Sequence, residues 1–134
     1  MNYRIVNGSG KMNTEEIIGL LKKAYWAEDR SAKQIEKSVK NSECYGICPE
    51  DGSKLMGFAR VITDYATTYY VCDVIIDEDY RNMGLGTALM GYIESLPAYR
   101  GLRGILITRD AIEFYRKFGY EVLNDRAMVK GLNC

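Results

Sequence analysis

The stretch between residues 77 and 94, "DEDYRNMGLGTALMGYIE", holds the residues whose types and spacing best suit chemistry. Arg81 is followed by Gly84 and Gly86, and an apolar pattern with helical spacing begins at Leu85. Glycines at the start of a helix let a ligand approach its free backbone N–H groups, and this positive helix end binds phosphate. Arg81 would add a charged donor. The alternative is a tight turn beside a surface arginine.

Two common phosphate-binding loops do not fit this stretch. A P-loop needs Gly-Lys-Ser/Thr after its glycines, whereas this chain has Gly86-Thr87-Ala88. A dinucleotide fingerprint needs a third glycine at the position of Leu89. The spacing therefore predicts a pyrophosphate cradle of another kind.

The composition excludes several other kinds of chemistry. The 134 residues include no histidine, which rules out Ser-His-Asp and Cys-His catalysis and the usual zinc hydrolase ligands. The cysteines have no second pair at ligand spacing, so we expect reduced thiols and no metal at Cys44, Cys48, Cys72 and Cys134. Acid–base chemistry must fall to other groups.

Charge and hydropathy limit the partners that the sequence predicts. Lys+Arg and Asp+Glu balance at 18 each, which argues against a general nucleic-acid binder. No apolar run is long enough to cross a bilayer, and the first residues contain no signal-peptide core. We therefore expect a cytoplasmic protein with no nucleic-acid or membrane partner.

The periodicities predict one mixed α/β domain spanning residues 1–134. Asn13 and Ser31 are expected to cap the first two helices, and Asp110 the last one. The predicted helices are 13–25, 31–42, 85–96 and 110–120. The predicted strands are 3–7, 44–50, 54–63, 67–77 and 102–109, followed by a closing hairpin of 120–124 and 127–132.

Two segments resemble the GCN5-related N-acetyltransferases (the GNAT superfamily). "VIIDEDYRNMGLGTALM" resembles that family's acetyl-CoA-binding motif, a strand followed by Arg/Gln-x-x-Gly-x-Gly/Ala and a helix. "ITRDAIEFYRKFGYE" is similar to its later segment, with a Tyr before a Lys/Arg and a Gly-aromatic pair. Glu78 and Asn82 replace a frequent Pro and Gly, and neither change removes a backbone donor. The resemblance implies a GNAT-like fold: a mixed, mostly antiparallel central sheet, splayed between two parallel strands and flanked by about four helices.

The resemblance also implies which residues hold acetyl-CoA and assist the reaction. Tyr115 would protonate the departing thiolate, although an amphipathic helix can also use such a tyrosine as a core aromatic. Backbone groups of Val74, Ile75 and Ile76 would bind the pantetheine arm and the thioester carbonyl. The pyrophosphate would be held by Arg81, Asn82, Met83, Gly84, Leu85, Gly86 and Thr87.

The general base and the acceptor site are less defined in the sequence. Asp73 stands out in an apolar strand, and it is a candidate base or acceptor ligand, or an ordinary polar position. Glu28, Asp29 and a water chain are further candidates. Trp26 and Arg30 lie in the link between the first two helices, the segment that covers the acceptor side in the family. They would form an aromatic wall and an anion clamp, or else a packing residue and a solvated charge.

The function implied is that of an acetyl-CoA-dependent N-acetyltransferase. A primary amine of a small molecule or protein would attack the thioester directly, without a metal, and a homodimer is possible. The alternative is a non-catalytic acyl-CoA-binding sensor or regulatory module. A plain interaction domain without a cofactor is the third hypothesis.

Overall fold

A computed structural model describes residues 2–131 and contains one five-stranded sheet. The strands lie in the order β1-β2-β3-β4-β5, and only β5 runs parallel to its neighbour, β4. The strands are β1 (Tyr3–Asn7), β2 (Glu43–Pro49), β3 (Gly57–Thr63), β4 (Thr68–Ile76) and β5 (Arg103–Leu106). This confirms the mixed, mostly antiparallel sheet.

Four α-helices flank the sheet, as expected. They are α1 (Thr14–Lys22), α2 (Ala32–Lys40), α3 (Leu85–Glu94) and α4 (Ile112–Arg116), with 3₁₀ turns at Ser9–Lys11, Glu78–Tyr80 and Pro97–Tyr99. Asn13 Oδ1 accepts from the N–H of Glu16 at 3.2 Å, and Ser31 Oγ accepts from Gln34 at 3.1 Å. Both predicted caps are confirmed. No helix among residues 2–131 combines the length and the apolar character needed to cross a membrane.

The core lies in two clusters, one on each face of the sheet. Alternate residues of a strand point to opposite faces, and the neighbours Phe58 and Ala59 of β3 belong to different clusters. One face packs against Leu89 and Met90 of α3, and the other packs against α1 and α2. The sheet is therefore covered on both sides.

The parallel pair separates before β4 ends. β5 pairs with β4 only between Thr68 and Val71, whereas β4 continues to Ile76. The last residues of β4 therefore have β3 on one side and no β5 partner on the other. This opening provides the splay expected between the two parallel strands.

The predicted closing hairpin is wrong for the residues that the structure describes; residue 132 of its second strand lies outside them. Residues 120–131 form no strand, with a turn at 124–126. All residues of 121–131 are exposed. A two-stranded hairpin is marginal in water unless it packs against another surface, and the apolar side chains of this segment have none in their own domain.

Helix α4 is also shorter than predicted. It begins at Ile112 with Ala111 as its N-cap, and the N–H of Ala111 donates to Thr108 Oγ1 at 3.0 Å. The cap predicted at Asp110 is therefore wrong, because the N-cap is Ala111 and no side chain caps the helix. The helix ends at Arg116, and turns continue to Gly119, which has φ +93°.

Candidate functional site

A cleft of about 870 Å³ lies beside the open end of β4. Its walls are the end of β4, the loop before α3, the start of α4 and the segment after α1. This volume is within the range typical of small-molecule sites. The cleft brings together most of the residues predicted from sequence: Trp26, Val74, Ile75, Ile76, Arg81, Asn82, Gly84, Leu85, Gly86, Thr87 and Tyr115. Met83 does not line it and is 53% exposed.

A β-bulge gives the end of β4 its orientation. Phe58 pairs with Ile75 and Arg60 pairs with Cys72, so two residues of β4 lie opposite one residue of β3. Asp73, within this bulge, has φ +55°. Val71 and Ile75 therefore pack in different core clusters, although four residues of regular strand would place them on the same face. The bulge thus resets the faces of the cleft-lining segment, residues 74–76.

The loop before α3 leaves backbone donors open. The first bond of the helix runs from the N–H of Ala88 to the carbonyl of Gly84 at 3.0 Å. The preceding N–H groups, from Leu85 to Thr87, consequently have no acceptor within the helix. Gly84 has φ +77°, and a Cβ placed there would meet nothing within 4 Å. These groups form a cradle of donors with room for an anion.

The charged side chains of the cleft also suit a polyanion. Lys23, Arg81 and Lys117 line it, with Asp110 as the sole acidic residue among its described lining residues. Arg81 Nε donates to the carbonyl of Ile76 at 3.1 Å, which holds the guanidinium beside the end of β4. Together with the free N–H groups, these cations fit the phosphates of a nucleotide cofactor.

Tyr115 is a half-buried tyrosine on α4 that lines the same cleft. Burial raises the pKa of Tyr115 to about 12, and the negative charge of Asp110 contributes to the rise. The ring packs edge-on against Phe114, with centroids 5.0 Å apart. Tyr115 is therefore both a packing residue and, at neutral pH, a protonated phenol at the cleft wall.

Asp73 is held in a buried charge cluster rather than presented to the cleft. Its Oδ2 accepts from Arg60 Nε and Arg30 Nη1, both at 2.8 Å, and its Oδ1 accepts from Trp26 Nε1 at 2.9 Å. Burial alone would raise the pKa of Asp73, but the bonds and charges of the two arginines outweigh it and leave the pKa lowered. A carboxylate stabilised in this way is a weak base, so the geometry favours a structural role over the predicted one.

The same cluster accounts for the other two acceptor-side residues. The guanidinium of Arg30, which the sequence predicts to bind an anionic acceptor, instead makes an ion pair with Asp73. Trp26 uses its indole N–H on Asp73 while its side chain lines the cleft, which is compatible with an aromatic wall. The cluster joins the segment after α1 to the bulge of β4. Glu28 and Asp29 are exposed and do not line the cleft.

Sequence reasoning missed three residues that line the cleft or contact its lining. Tyr25 and Asp110 line it, and the guanidinium of Arg109 lies 3.8 Å from the centroid of the Tyr25 ring. The sequence assigns Asp110 only the role of a helix cap. The signal that could have found it is its place in "ITRDAIEFYRKFGYE", directly ahead of the helix that carries Tyr115.

The described residues contain no group of three or more His, Cys, Asp and Glu side chains able to hold a metal ion. Cys44 and Cys48 are buried free thiols, and Cys72 is half-buried and free. Cys134 lies outside the described residues.

Comparison with known proteins points to one family. Residues 13–120 match the model of the acetyltransferase (GNAT) family. A crystal structure from Xanthomonas campestris pv. campestris, of a protein assigned to the same family, superposes with a TM-score of 0.89 at 28% identity. That match covers 97% of this chain and 93% of the other.

Two plant relatives are longer than this chain. Histone acetyltransferase TAP1 of Glycine max is 26% identical over 96% of this chain and 59% of its own length. GCN5-related N-acetyltransferase 2, chloroplastic, of Arabidopsis thaliana is 26% identical over 96% of this chain and 57% of its own length. The chain therefore spans less than two thirds of these curated relatives.

Proposed function

The chain belongs to the acetyltransferase (GNAT) family, and on this premise we propose that it transfers an acetyl group from acetyl-CoA to a primary amine. One observation carries the proposal: a single cleft joins the donor cradle before α3, the open end of β4 and the protonated phenol of Tyr115. An anion site, an extended-chain site and an acid are the parts that such a transfer needs.

The residues present fit acetyl-CoA. The N–H groups of Leu85, Gly86 and Thr87, with Arg81, would hold the pyrophosphate, and Gly84 leaves the space that a Cβ would take up. The backbone of residues 74–76 would lie along the pantetheine arm, because β5 does not pair with it. Acetyl-CoA would supply an acetyl group activated as a thioester.

The reaction needs two proton movements. The amine nitrogen forms a bond to the acetyl carbon as the carbon–sulfur bond breaks, and a proton leaves the nitrogen for solvent. Tyr115 gives its own proton to the departing sulfur and is then reprotonated from water. A phenol with its pKa raised to about 12 holds this proton throughout the neutral range.

The acceptor class stays open between small molecules and proteins. One relative is named as a histone acetyltransferase, so a protein amine remains a candidate beside small amines. A cytoplasmic location, and the absence of nucleic-acid and membrane partners, stay predictions from the sequence.

Binding of acetyl-CoA tests the cradle. Trp26, the sole tryptophan of the sequence, lines the cleft, so its fluorescence can follow a titration. We expect Gly84→Leu to abolish most binding and Gly101→Leu to leave it unchanged. Both glycines have positive φ, at +77° and +82°, and a Cβ at either position would meet nothing within 4 Å, but only Gly84 lines the cleft. Equal affinity in the two variants would remove the cradle assignment.

Turnover tests the chemistry. Thiol release from acetyl-CoA is followed over a panel of amines, and Tyr115→Phe is expected to lower kcat by about 10² to 10⁴-fold while acetyl-CoA affinity is kept. Tyr3→Phe, on an exposed tyrosine of β1, is the matched control. Loss of acetyl-CoA affinity together with kcat would assign Tyr115 to packing. Binding without turnover on any amine would favour the sensor function.

A further inference from the structure

One carboxylate among the residues that line the cleft, that of Asp110, has no partner among residues 2–131. Asp110 is exposed, and it makes no hydrogen bond or ion pair with any residue in the range 2–131. Other acids of the chain are engaged: Asp73 with two arginines, Asp77 with Lys54, and Glu113 with Arg116. Asp110 does not cap α4, whose N-cap residue is Ala111. Its charge is therefore available to a ligand.

The position of Asp110 places that charge beside the acid of the reaction. It precedes the first residue of α4 by two positions, and Tyr115 lies on the same short helix. Both side chains line one cleft, and the charge of Asp110 acts on the Tyr115 phenol. A group bound by this carboxylate would lie close to the Tyr115 phenol and to the departing sulfur that it protonates.

The neighbouring cation does not neutralise Asp110. The guanidinium of Arg109 lies over the ring of Tyr25 instead, 3.8 Å from its centroid. The face of Tyr25 is therefore occupied, but Trp26 also lines the cleft, and aromatic faces attract organic cations. The cleft thus combines the free negative charge of Asp110 with the ring of Trp26, besides the cations Lys23, Arg81 and Lys117.

We propose that Asp110 is the acceptor-binding carboxylate, and that the acceptor carries, besides the amine that reacts, a second amine held there as an ammonium ion. The inference rests on the proposed function and narrows its substrate class to cationic amines. Acceptors whose amine lies next to a carboxylate or phosphate would be disfavoured, since the anion clamp predicted at Arg30 is engaged with Asp73.

The test separates acceptor binding from acetyl-CoA binding. Choline, a permanent cation without a reactive amine, is titrated against Trp26 fluorescence and against turnover, in the wild type and in Asp110→Asn. We expect the variant to weaken choline binding and to raise KM for diamines by about 10-fold or more, because a charge-assisted contact is lost. Acetyl-CoA affinity should not change.

Glu113→Gln is the matched control, because Glu113 is an exposed acid of α4 that does not line the cleft. Unchanged choline binding and unchanged KM in Asp110→Asn would overturn the inference, as would equal weakening by Glu113→Gln. If acetyl-CoA fails to bind the wild type, the proposed function falls. Choline binding that depends on Asp110 would then still establish the cation site.

Discussion

Asp73 and Asp110 are two aspartates in opposite surroundings. Asp73 is 5% exposed, accepts bonds from Arg30, Arg60 and Trp26, and lies on a bulged strand. Asp110 is exposed, unpaired within residues 2–131, and lines the cleft next to Tyr115. The first carboxylate holds the walls of the site together, and the second faces the space between them.

The contrast shows which kind of acidic residue in such a sequence indicates a substrate-binding role. Asp73 is buried in its apolar strand, and a buried charge is stable only when partners compensate its desolvation. The conspicuous position of Asp73 therefore indicates a paired charge. Asp110 lies in a polar turn, where the sequence alone does not indicate a binding role. A carboxylate that lines a cleft and has no partner can bind substrate.

Replacing Asp73 should give the largest loss of stability. Asp73→Asn keeps the size of the side chain and tolerates positive φ, but it leaves the buried Arg60 without its counter-ion. We expect the free energy of unfolding to fall by about 3–5 kcal/mol, measured by urea denaturation. Asp110→Asn is the control, and its stability should be unchanged. Equal stability of the two variants would erase the distinction between the aspartates.

Replacing Arg30 should have a smaller effect. Its side chain is 17% exposed, and Arg60 still pairs with Asp73 when Arg30 is removed. We expect Arg30→Gln to lower the free energy of unfolding by about 1.5–3 kcal/mol, the range for hydrogen bonds to charged groups. The acetyl-CoA KM should be unchanged. A loss as large as that of Asp73→Asn would show that Arg60 alone does not hold the carboxylate.

Lowering the pH should change the stability of the wild type through the protonation of Asp73, and this change should be missing from Asp73→Asn. The folded-state pKa of Asp73 is lowered, so its stabilising contribution is present above the unfolded pKa of about 3.9 and is lost as pH falls through the folded value. Urea denaturation between neutral and acid pH should therefore show a flatter decline in Asp73→Asn than in the wild type. Parallel declines would contradict the lowered pKa.

Local chemistry made much of this fold predictable. The caps at Asn13 and Ser31 depend on residues three positions away, and the sequence contains both partners. The glycines of the loop before α3 likewise act through their own backbone, so no distant contact is needed to predict their effect. Four helices and the strands β1 to β5 follow from such local patterns, with ends shifted by a few residues.

The role of Asp73, which the sequence leaves open, and the closing hairpin, which it predicts wrongly, both depend on distant residues. The partners of Asp73 are 43 and 13 residues away at Arg30 and Arg60, and no local pattern pairs them. The closing hairpin has strand-like residues but no surface of its own domain to pack against. Helix α4 begins two residues after Asp110, at Ile112, so Asp110 does not serve as the predicted cap.

Turnover of a cationic diamine by Asp73→Asn and Asp110→Asn, at a temperature where both are folded, tests the central claim most directly. The account predicts that Asp110→Asn loses about 10-fold or more in kcat/KM for the amine, while folded Asp73→Asn keeps most of its activity. Loss of turnover in folded Asp73→Asn, with Asp110→Asn unaffected, would contradict it and restore Asp73 as the base.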